Sequence, residues 1–329
     1  MTGKVLQLGL TGYPLEHSLS PKLHAAALEA CGLEGDYRLY PVPPGDESGL
    51  RELLESVRRG ALHGLNVTIP HKRSVLPLLD EVSQTARAIG AVNTIYARDG
   101  VLVGENTDNA GFLSDLERWL PTQVQGGTRP AQEPSGIRPT QEQGGIHPTQ
   151  EQSGSNPVGL VLGSAPTQEQ GGTQQAGLVL GSGGSARAVV YALVQAGWQV
   201  SVAARRPEQA QDLRWALSRD VEVLELNGEA IGRLVAERQI GLVVNATPLG
   251  MGALAAESPW PAGVPLPGIA FVYDLVYNPP ETALMRTARD AGLACANGLG
   301  MLVDQARLAF RLWTGCEVER AVMDRAVGL

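Results

Sequence analysis

A glycine-rich turn between a strand pattern and a helix pattern constrains the fold of this chain most strongly. Residues 178–180 are apolar, residues 186–196 carry apolar side chains at helical spacing, and Gly-Ser-Gly-Gly-Ser occupies residues 181–185 between them. Glycines let the backbone close tightly on a pyrophosphate, whose charge the N-terminal end of the following helix then stabilises. The turn therefore predicts a Rossmann-type dinucleotide-binding domain, which we expect over residues 177–299.

The end of the next strand pattern indicates which dinucleotide is bound. An NAD site places an acidic residue about twenty positions beyond the first glycine, where it accepts the ribose hydroxyls. This chain has Ala204, Arg205 and Arg206 there, and the first acid that follows is Glu208. Because two guanidinium groups suit a 2′-phosphate, the strand end predicts NADP as the cofactor.

The remainder of the chain divides into two very different parts. Residues 1–118 alternate short apolar runs with amphipathic stretches, which predicts a second α/β domain, completed by helices at about residues 300–329. Residues 121–176 are rich in Gln, Gly, Pro, Thr and Glu, and Pro-Thr-Gln-Glu-Gln occurs three times within them. Such a sequence buries too little apolar surface to offset the entropy of folding, so we expect a disordered low-complexity insertion.

Charge, cysteines and histidines narrow the class of function. The net charge of −8 argues against a general nucleic-acid-binding protein. Cys31, Cys295 and Cys316 show no C-x-x-C spacing, so we expect reduced thiols and neither a disulfide framework nor a zinc site. The histidines show no ligand spacing, and we expect no metal.

No apolar run is long enough for a membrane span or a signal-peptide core, so we expect a cytoplasmic protein. A homodimer is one assembly that the sequence leaves open.

The N-terminal half contains several polar clusters with two interpretations each. Ser20 precedes a proline that suits the first turn of a helix, so it could serve as an N-cap. Together with Ser18, it could instead bind a carboxylate at the helix N-terminus. Lys72 follows a strand pattern and a proline, where a solvent-facing charge is the simpler interpretation.

Taken in order, these strings resemble the shikimate dehydrogenase family over nearly the whole chain apart from the insertion. The order and spacing of seven motifs make the resemblance specific. The strings are Ser-Leu-Ser-Pro at 18–21, Asn-Val-Thr-Ile-Pro-His-Lys at 66–72, Gly-Ala-Val-Asn-Thr at 90–94, Asn-Thr-Asp at 106–108, the glycine turn at 181–188, Asn-Ala-Thr-Pro at 245–248 and Asn-Gly-Leu-Gly-Met-Leu-Val-Asp-Gln-Ala at 297–306.

The resemblance implies a reversible NADPH-dependent reduction of 3-dehydroshikimate to shikimate, in the pathway to chorismate and the aromatic amino acids. It implies that Lys72 supplies the proton and that Asp108 orients and stabilises the ammonium, so that the pair acts as one acid–base unit. The implied substrate-binding residues are Ser18 and Ser20 for the carboxylate, Asn66, Thr68, Asn93 and Gln305 for the ring hydroxyls, and Tyr277 near the nicotinamide. The implied cofactor-binding residues are Gly181, Ser182, Gly183, Gly184, Ser185, Ala204, Arg205, Arg206, Thr247, Leu275 and Gly298.

One motif departs from the family, and three other functions stay open. The family commonly has Asn-Arg-Thr where this chain has Ala204, Arg205 and Arg206, so the phosphate site loses a side-chain amide and gains a charge.

A broad-specificity quinate/shikimate dehydrogenase, the first alternative function, would use nearly the same ring contacts. A non-catalytic ligand-binding paralogue would keep the fold alone, although Lys72 and Asp108 argue against it. A methylenetetrahydrofolate dehydrogenase would share the cofactor domain but has no use for a serine pair that binds a carboxylate.

Overall fold

The computed structural model describes residues 5–120, 175–211, 213 and 220–329. Two six-stranded sheets, each covered by helices, form the body of the molecule. The insertion predicted over residues 121–176 lies outside the described residues except at its end, where Ala176 is already the first residue of a strand. No helix among the described residues is both long enough and apolar enough to cross a membrane.

The first sheet is mixed and contains the N-terminal third of the chain. Its strand order is β2-β1-β3-β5-β6-β4, with β5 antiparallel to both β3 and β6. Leu50, Leu54 and Val57 recur at helical spacing on α2 and are buried, which is why this amphipathic segment packs as a helix on the sheet. The elements are β1 (Leu6–Gly12), α1 (Ser20–Ala30), β2 (Gly35–Pro41), α2 (Glu47–Arg58), β3 (Gly64–Val67), β4 (Glu81–Val82), α3 (Gln84–Ile89), β5 (Thr94–Arg98) and β6 (Val101–Glu105).

The second sheet is entirely parallel, and its order β12-β11-β10-β7-β8-β9 is that of a Rossmann fold. Its central strand β7 is buried along its whole length, as expected for a strand with helices on both faces. The prediction of a Rossmann-type unit is thereby confirmed. The elements are β7 (Ala176–Leu180), α5 (Gly184–Gln195), β8 (Gln199–Ala204), β9 (Glu222–Glu225), α6 (Gly228–Glu237), β10 (Ile240–Asn245), β11 (Phe271–Asp274), α7 (Ala283–Asp290) and β12 (Cys295–Asn297).

Three further helices complete the described part of the fold: α4 (Asp108–Trp119), α8 (Leu299–Thr314) and α9 (Arg320–Val327). Phe310 of α8 and Met323 of α9 belong to the core under the first sheet, so the C-terminal helices return to the N-terminal unit. On α4, Asp115 accepts a hydrogen bond of 2.6 Å from the hydroxyl of Tyr273 on β11. The carboxylate is buried and also bonds arginines, so α4 is fixed to both units.

The expectation of three reduced cysteines was wrong. Cys31, which caps the C-terminal end of α1, and Cys316, just after α8, form a disulfide. The pair is separated by 285 residues in sequence, and only the packing of α1 against α8 and α9 brings its Cα atoms to 6.6 Å. Cysteine spacing therefore could not have revealed the bond. Cys295 is the free cysteine of the described residues.

Candidate active site

A cleft of about 990 Å³ lies between the two units, where strands of both sheets end. In an α/β protein the carboxyl ends of parallel strands are the usual place for a ligand. All of the site residues predicted from the sequence line this one cleft. They are Ser18, Ser20, Asn66, Thr68, Lys72, Asn93, Asp108, Gly181, Ser182, Gly183, Gly184, Ser185, Ala204, Arg205, Arg206, Thr247, Leu275, Tyr277, Gly298 and Gln305.

Lys72 and Asp108 form an ion pair at the centre of the cleft. The Lys72 Nζ donates to Asp108 Oδ2 at 2.6 Å, and the two side chains are only 13% and 5% exposed. Asp108 is the first residue of α4, while Lys72 lies beyond β3 and its carbonyl accepts a 2.8 Å bond from Val92 N. The pair is therefore held from both sides and largely shielded from water, which strengthens its electrostatic interaction. The interpretation of Lys72 as a solvent-facing charge was therefore wrong.

Asn93 is the hub of a buried hydrogen-bond network behind that pair. Its Nδ2 lies 2.8 Å from Asp108 Oδ1 and 3.3 Å from Gln305 Oε1. Its Oδ1 accepts a 2.8 Å bond from the Thr107 backbone N–H. Asn93 thus binds the carboxylate oxygen that Lys72 leaves free, and so fixes the plane of the Asp108 carboxylate.

The side chain of Asn66 makes three hydrogen bonds within the protein. Its Nδ2 donates to the Asn93 carbonyl at 3.1 Å and to Thr94 Oγ1 at 3.3 Å, and its Oδ1 accepts from the Tyr37 hydroxyl at 2.8 Å. Both amide hydrogens are therefore engaged, whereas the oxygen keeps one lone pair. At this position the cleft offers an acceptor for a ligand hydroxyl.

Tyr37 on β2 was not predicted from the sequence, and it orients Asn66. The His24 ring stacks on it with a centroid separation of 4.2 Å and an interplanar angle of 5°. Burial lowers the pKa of His24 to about 3, so this ring is neutral at physiological pH. Burial also raises the pKa of Tyr37, so its hydroxyl remains a donor. A tyrosine within a strand and a histidine within a helix gave no local signal of this stack.

The serine pair lies at the start of α1. Ser20 is the first residue of the helix and Leu19 is the N-cap residue, so the N-cap interpretation of Ser20 was wrong. Ser18 Oγ accepts from the Ser20 backbone N–H at 3.3 Å, which keeps the two hydroxyls together at the cleft. Tyr277 lies next to this pair: burial raises its pKa, and a hydrogen bond with the Leu19 backbone opposes the shift.

The glycine turn after β7 forms the cofactor side of the cleft. Gly181 has φ +112°, and a Cβ there would lie 2.9 Å from the Ala246 carbonyl oxygen, so glycine is required. A Cβ on Gly183 would meet no protein atom within 4 Å, which leaves room for a pyrophosphate at the N-terminus of α5. Arg205 and Arg206 follow β8 and are exposed at the rim of the cleft. The turn and the two guanidiniums together fit a phosphorylated dinucleotide.

The neighbouring strand ends of the second sheet are fixed by a separate set of bonds. Asn245 Oδ1 accepts from the Thr247 backbone N–H at 2.9 Å, and Asn245 Nδ2 donates to Asp274 Oδ1 at 2.8 Å. Burial raises the pKa of Asp274 to about 6, although three hydrogen bonds to it act in the opposite direction. These bonds fix the ends of β10 and β11 and so position Thr247 and Leu275 at the cleft.

Two family models match parts of this chain. Residues 10–95 match the model of the shikimate dehydrogenase substrate-binding domain, and residues 298–327 match that of the shikimate 5′-dehydrogenase C-terminal domain. The shikimate dehydrogenase (NADP(+)) of Salinibacter ruber is 38% identical over 309 residues, which cover 93% of this chain and 90% of that protein.

Solved structures are also similar to this chain over nearly its full length. A shikimate 5-dehydrogenase of Thermus thermophilus, in complex with NADP(H) and shikimate, is 34% identical with a TM-score of 0.72, over 98% of this chain and 99% of that one. A quinate dehydrogenase of Corynebacterium glutamicum, in complex with NAD, is 30% identical with a TM-score of 0.73, over 99% of both chains.

Proposed function

The chain belongs to the shikimate dehydrogenase family, and on that premise we propose that it reduces 3-dehydroshikimate to shikimate reversibly with NADPH. It is an NADP-dependent oxidoreductase that acts on a CH–OH group. The observation that carries the proposal is the shielded Lys72–Asp108 pair, which lies in one cleft with the glycine turn and Arg205. We propose that residues 1–118 with about 300–329 bind the substrate and that residues 177–299 bind the cofactor.

When bound, NADPH would be held by the glycine turn with Arg205 and Arg206 and would supply the hydride for the carbonyl carbon. Lys72 donates a proton from its ammonium to the oxygen as negative charge develops there, and becomes a neutral amine. Asp108 accepts a hydrogen bond from Nζ and holds it in place, while Asn93 holds Asp108. In the oxidation of shikimate, the Lys72 amine accepts the proton of the reacting hydroxyl.

The other side chains of the cleft bind and orient the ring. The Ser18 and Ser20 hydroxyls bind the carboxylate at the N-terminal end of α1. Asn66 accepts a bond from a ring hydroxyl through Oδ1, the atom with spare capacity. Thr68 and Gln305 contact further ring hydroxyls, and Tyr277 closes the cleft beside the nicotinamide.

Location and assembly belong to the same proposal. We propose a cytoplasmic location, in which the Cys31–Cys316 disulfide would meet reducing conditions that disfavour it. We propose a homodimer as its assembly, and the measurement of molar mass by light scattering during gel filtration tests that assignment.

A broad-specificity quinate/shikimate dehydrogenase is the second candidate, supported by the similarity to the Corynebacterium glutamicum quinate dehydrogenase. A steady-state assay with shikimate and quinate, each paired with NADP and NAD, separates the candidates. We expect kcat/KM to be at least about tenfold higher for shikimate with NADP than for the other pairs. That ratio corresponds to a difference of about 1.4 kcal/mol in transition-state stabilisation. Equal turnover of quinate would favour the second candidate. Absence of turnover with every pair would contradict both.

A further inference from the structure

The catalytic lysine contacts the cofactor unit directly. Lys72 Nζ donates to Ser185 Oγ at 3.1 Å, although the two residues are 113 positions apart. Ser185 is the second residue of α5, the helix that follows the glycine turn. The sequence alone assigned this serine to cofactor binding, but its hydroxyl bonds the ammonium of the acid–base pair.

Gly184 makes this approach of the lysine stem feasible. A Cβ at Gly184 would lie 2.9 Å from Lys72 Cβ and 3.2 Å from Lys72 Cδ, tighter than ordinary van der Waals contact. The φ of Gly184 does not lie in the left-handed region, so its backbone conformation does not demand glycine. The other two glycines differ, because Gly181 needs its positive φ and Gly183 faces open space. The missing side chain of Gly184 therefore serves the lysine.

The geometry of the ammonium explains what these contacts achieve. An ammonium has three hydrogens to donate. Asp108 Oδ2 and Ser185 Oγ accept two of them, at 2.6 Å and 3.1 Å. With two of its hydrogens engaged in this way, the ammonium has one N–H left for the substrate carbonyl oxygen, which receives the proton.

We infer that Ser185 and Gly184 are positioning residues for Lys72, in addition to any contact they make with the cofactor. The inference rests on the proposed function, because it concerns how the proton donor of that reaction is aimed. On this inference both units contribute to the reacting centre, because the N-terminus of α5 in the cofactor unit positions Lys72 of the substrate unit.

Ser185→Ala, Ser185→Thr and wild type are compared in steady-state shikimate oxidation, with shikimate and NADP each varied to saturation. We expect Ser185→Ala to lower kcat about tenfold, the order of effect of one hydrogen bond to a charged group. The KM for NADP should change less than about threefold, and Ser185→Thr, which keeps the hydroxyl, should restore kcat to within about threefold. Ser182→Ala is the comparison for a residue that contacts the cofactor. We expect this variant to raise the KM for NADP.

Gly184→Ala tests the stem contact with a matched control. We expect a lower kcat, because the added methyl displaces the Lys72 stem by a few tenths of an ångström. Gly232→Ala on α6 makes the same chemical change where a Cβ meets no protein atom within 4 Å, and should leave kcat unchanged. Far-ultraviolet circular dichroism and a thermal melt of each variant show whether it is folded.

Two results would overturn the inference. One is a Ser185→Ala enzyme with wild-type kcat, and the other is an enzyme whose only defect is a raised KM for NADP. A wild-type protein without shikimate-dependent reduction of NADP would instead remove the proposed function, so the two failures are distinguishable.

Discussion

The two sides of the cleft are built in different ways. The substrate wall comprises Asn66, Asn93, Asp108 and Gln305, whose buried side chains are hydrogen-bonded to one another and to Thr94 and Thr107. The cofactor wall, which comprises residues 181–185 with Arg205 and Arg206, relies on backbone conformation and exposed charge. The substrate wall is organised before any ligand binds, whereas the phosphate ligand completes the cofactor wall. Changes in the substrate wall should therefore alter rate and stability together, and loss of an exposed charge from the cofactor wall, at Arg205 or Arg206, should alter affinity alone.

The largest effect is expected at the point where the walls meet. Lys72→Ala removes the proposed proton donor, and we expect kcat to fall about 10²–10⁴-fold while the dissociation constant of shikimate stays within about threefold. Stopped-flow turnover and isothermal titration measure the two quantities. Lys22→Ala, an exposed lysine on α1, is the matched control. A Lys72→Ala enzyme that keeps most of the wild-type rate would remove Lys72 from the mechanism.

The next effect tests whether the substrate wall contributes to stability as well as to rate. Asn93→Ala leaves the Thr107 N–H and one Asp108 oxygen without their buried partner. We expect the free energy of unfolding to fall by about 2–4 kcal/mol, and kcat to fall with it. Urea denaturation followed by tryptophan fluorescence measures the stability. An unchanged midpoint would mean that the network is not the preorganised structure described here.

A smaller effect, confined to affinity, is expected on the cofactor wall. Arg205→Ala should weaken NADP binding by about 1.5–3 kcal/mol, leave NAD binding nearly unchanged and leave the melting temperature unchanged. Arg233→Ala, an exposed arginine on α6, is the matched control for loss of surface charge. Equal weakening of NADP and NAD would assign Arg205 a structural role and remove the contrast between the walls.

The smallest effect concerns the residues that orient the substrate wall. Tyr37→Phe removes the donor to Asn66 Oδ1 but keeps the stack on His24. We expect the KM for shikimate to rise about threefold to tenfold and kcat to stay within about twofold, as for loss of one neutral hydrogen bond. Tyr96→Phe on β5, which does not line the cleft, controls for loss of a hydroxyl. A lowered kcat with an unchanged KM would place Tyr37 in the chemistry instead.

The same contrast explains how much of the molecule could be predicted from the sequence. The glycine turn, the Arg205–Arg206 pair and the order of the motifs depend on neighbours in the chain, so local patterns predicted the Rossmann unit and its cofactor. Tyr37 beside Asn66, Ser185 beside Lys72 and the Cys31–Cys316 bond depend on which strands and helices pack together. Such contacts join residues far apart in sequence, and no periodicity or spacing encodes them.

A crystal structure with shikimate and NADP⁺ bound together tests the central claim most directly, because it fills both walls at once. We predict that the shikimate carboxylate lies within hydrogen-bonding distance of Ser18 Oγ and Ser20 Oγ, and that the reacting hydroxyl contacts Lys72 Nζ. The 2′-phosphate should lie against Arg205 and Arg206. A carboxylate bound elsewhere, or a reacting hydroxyl turned away from Lys72, would contradict the account.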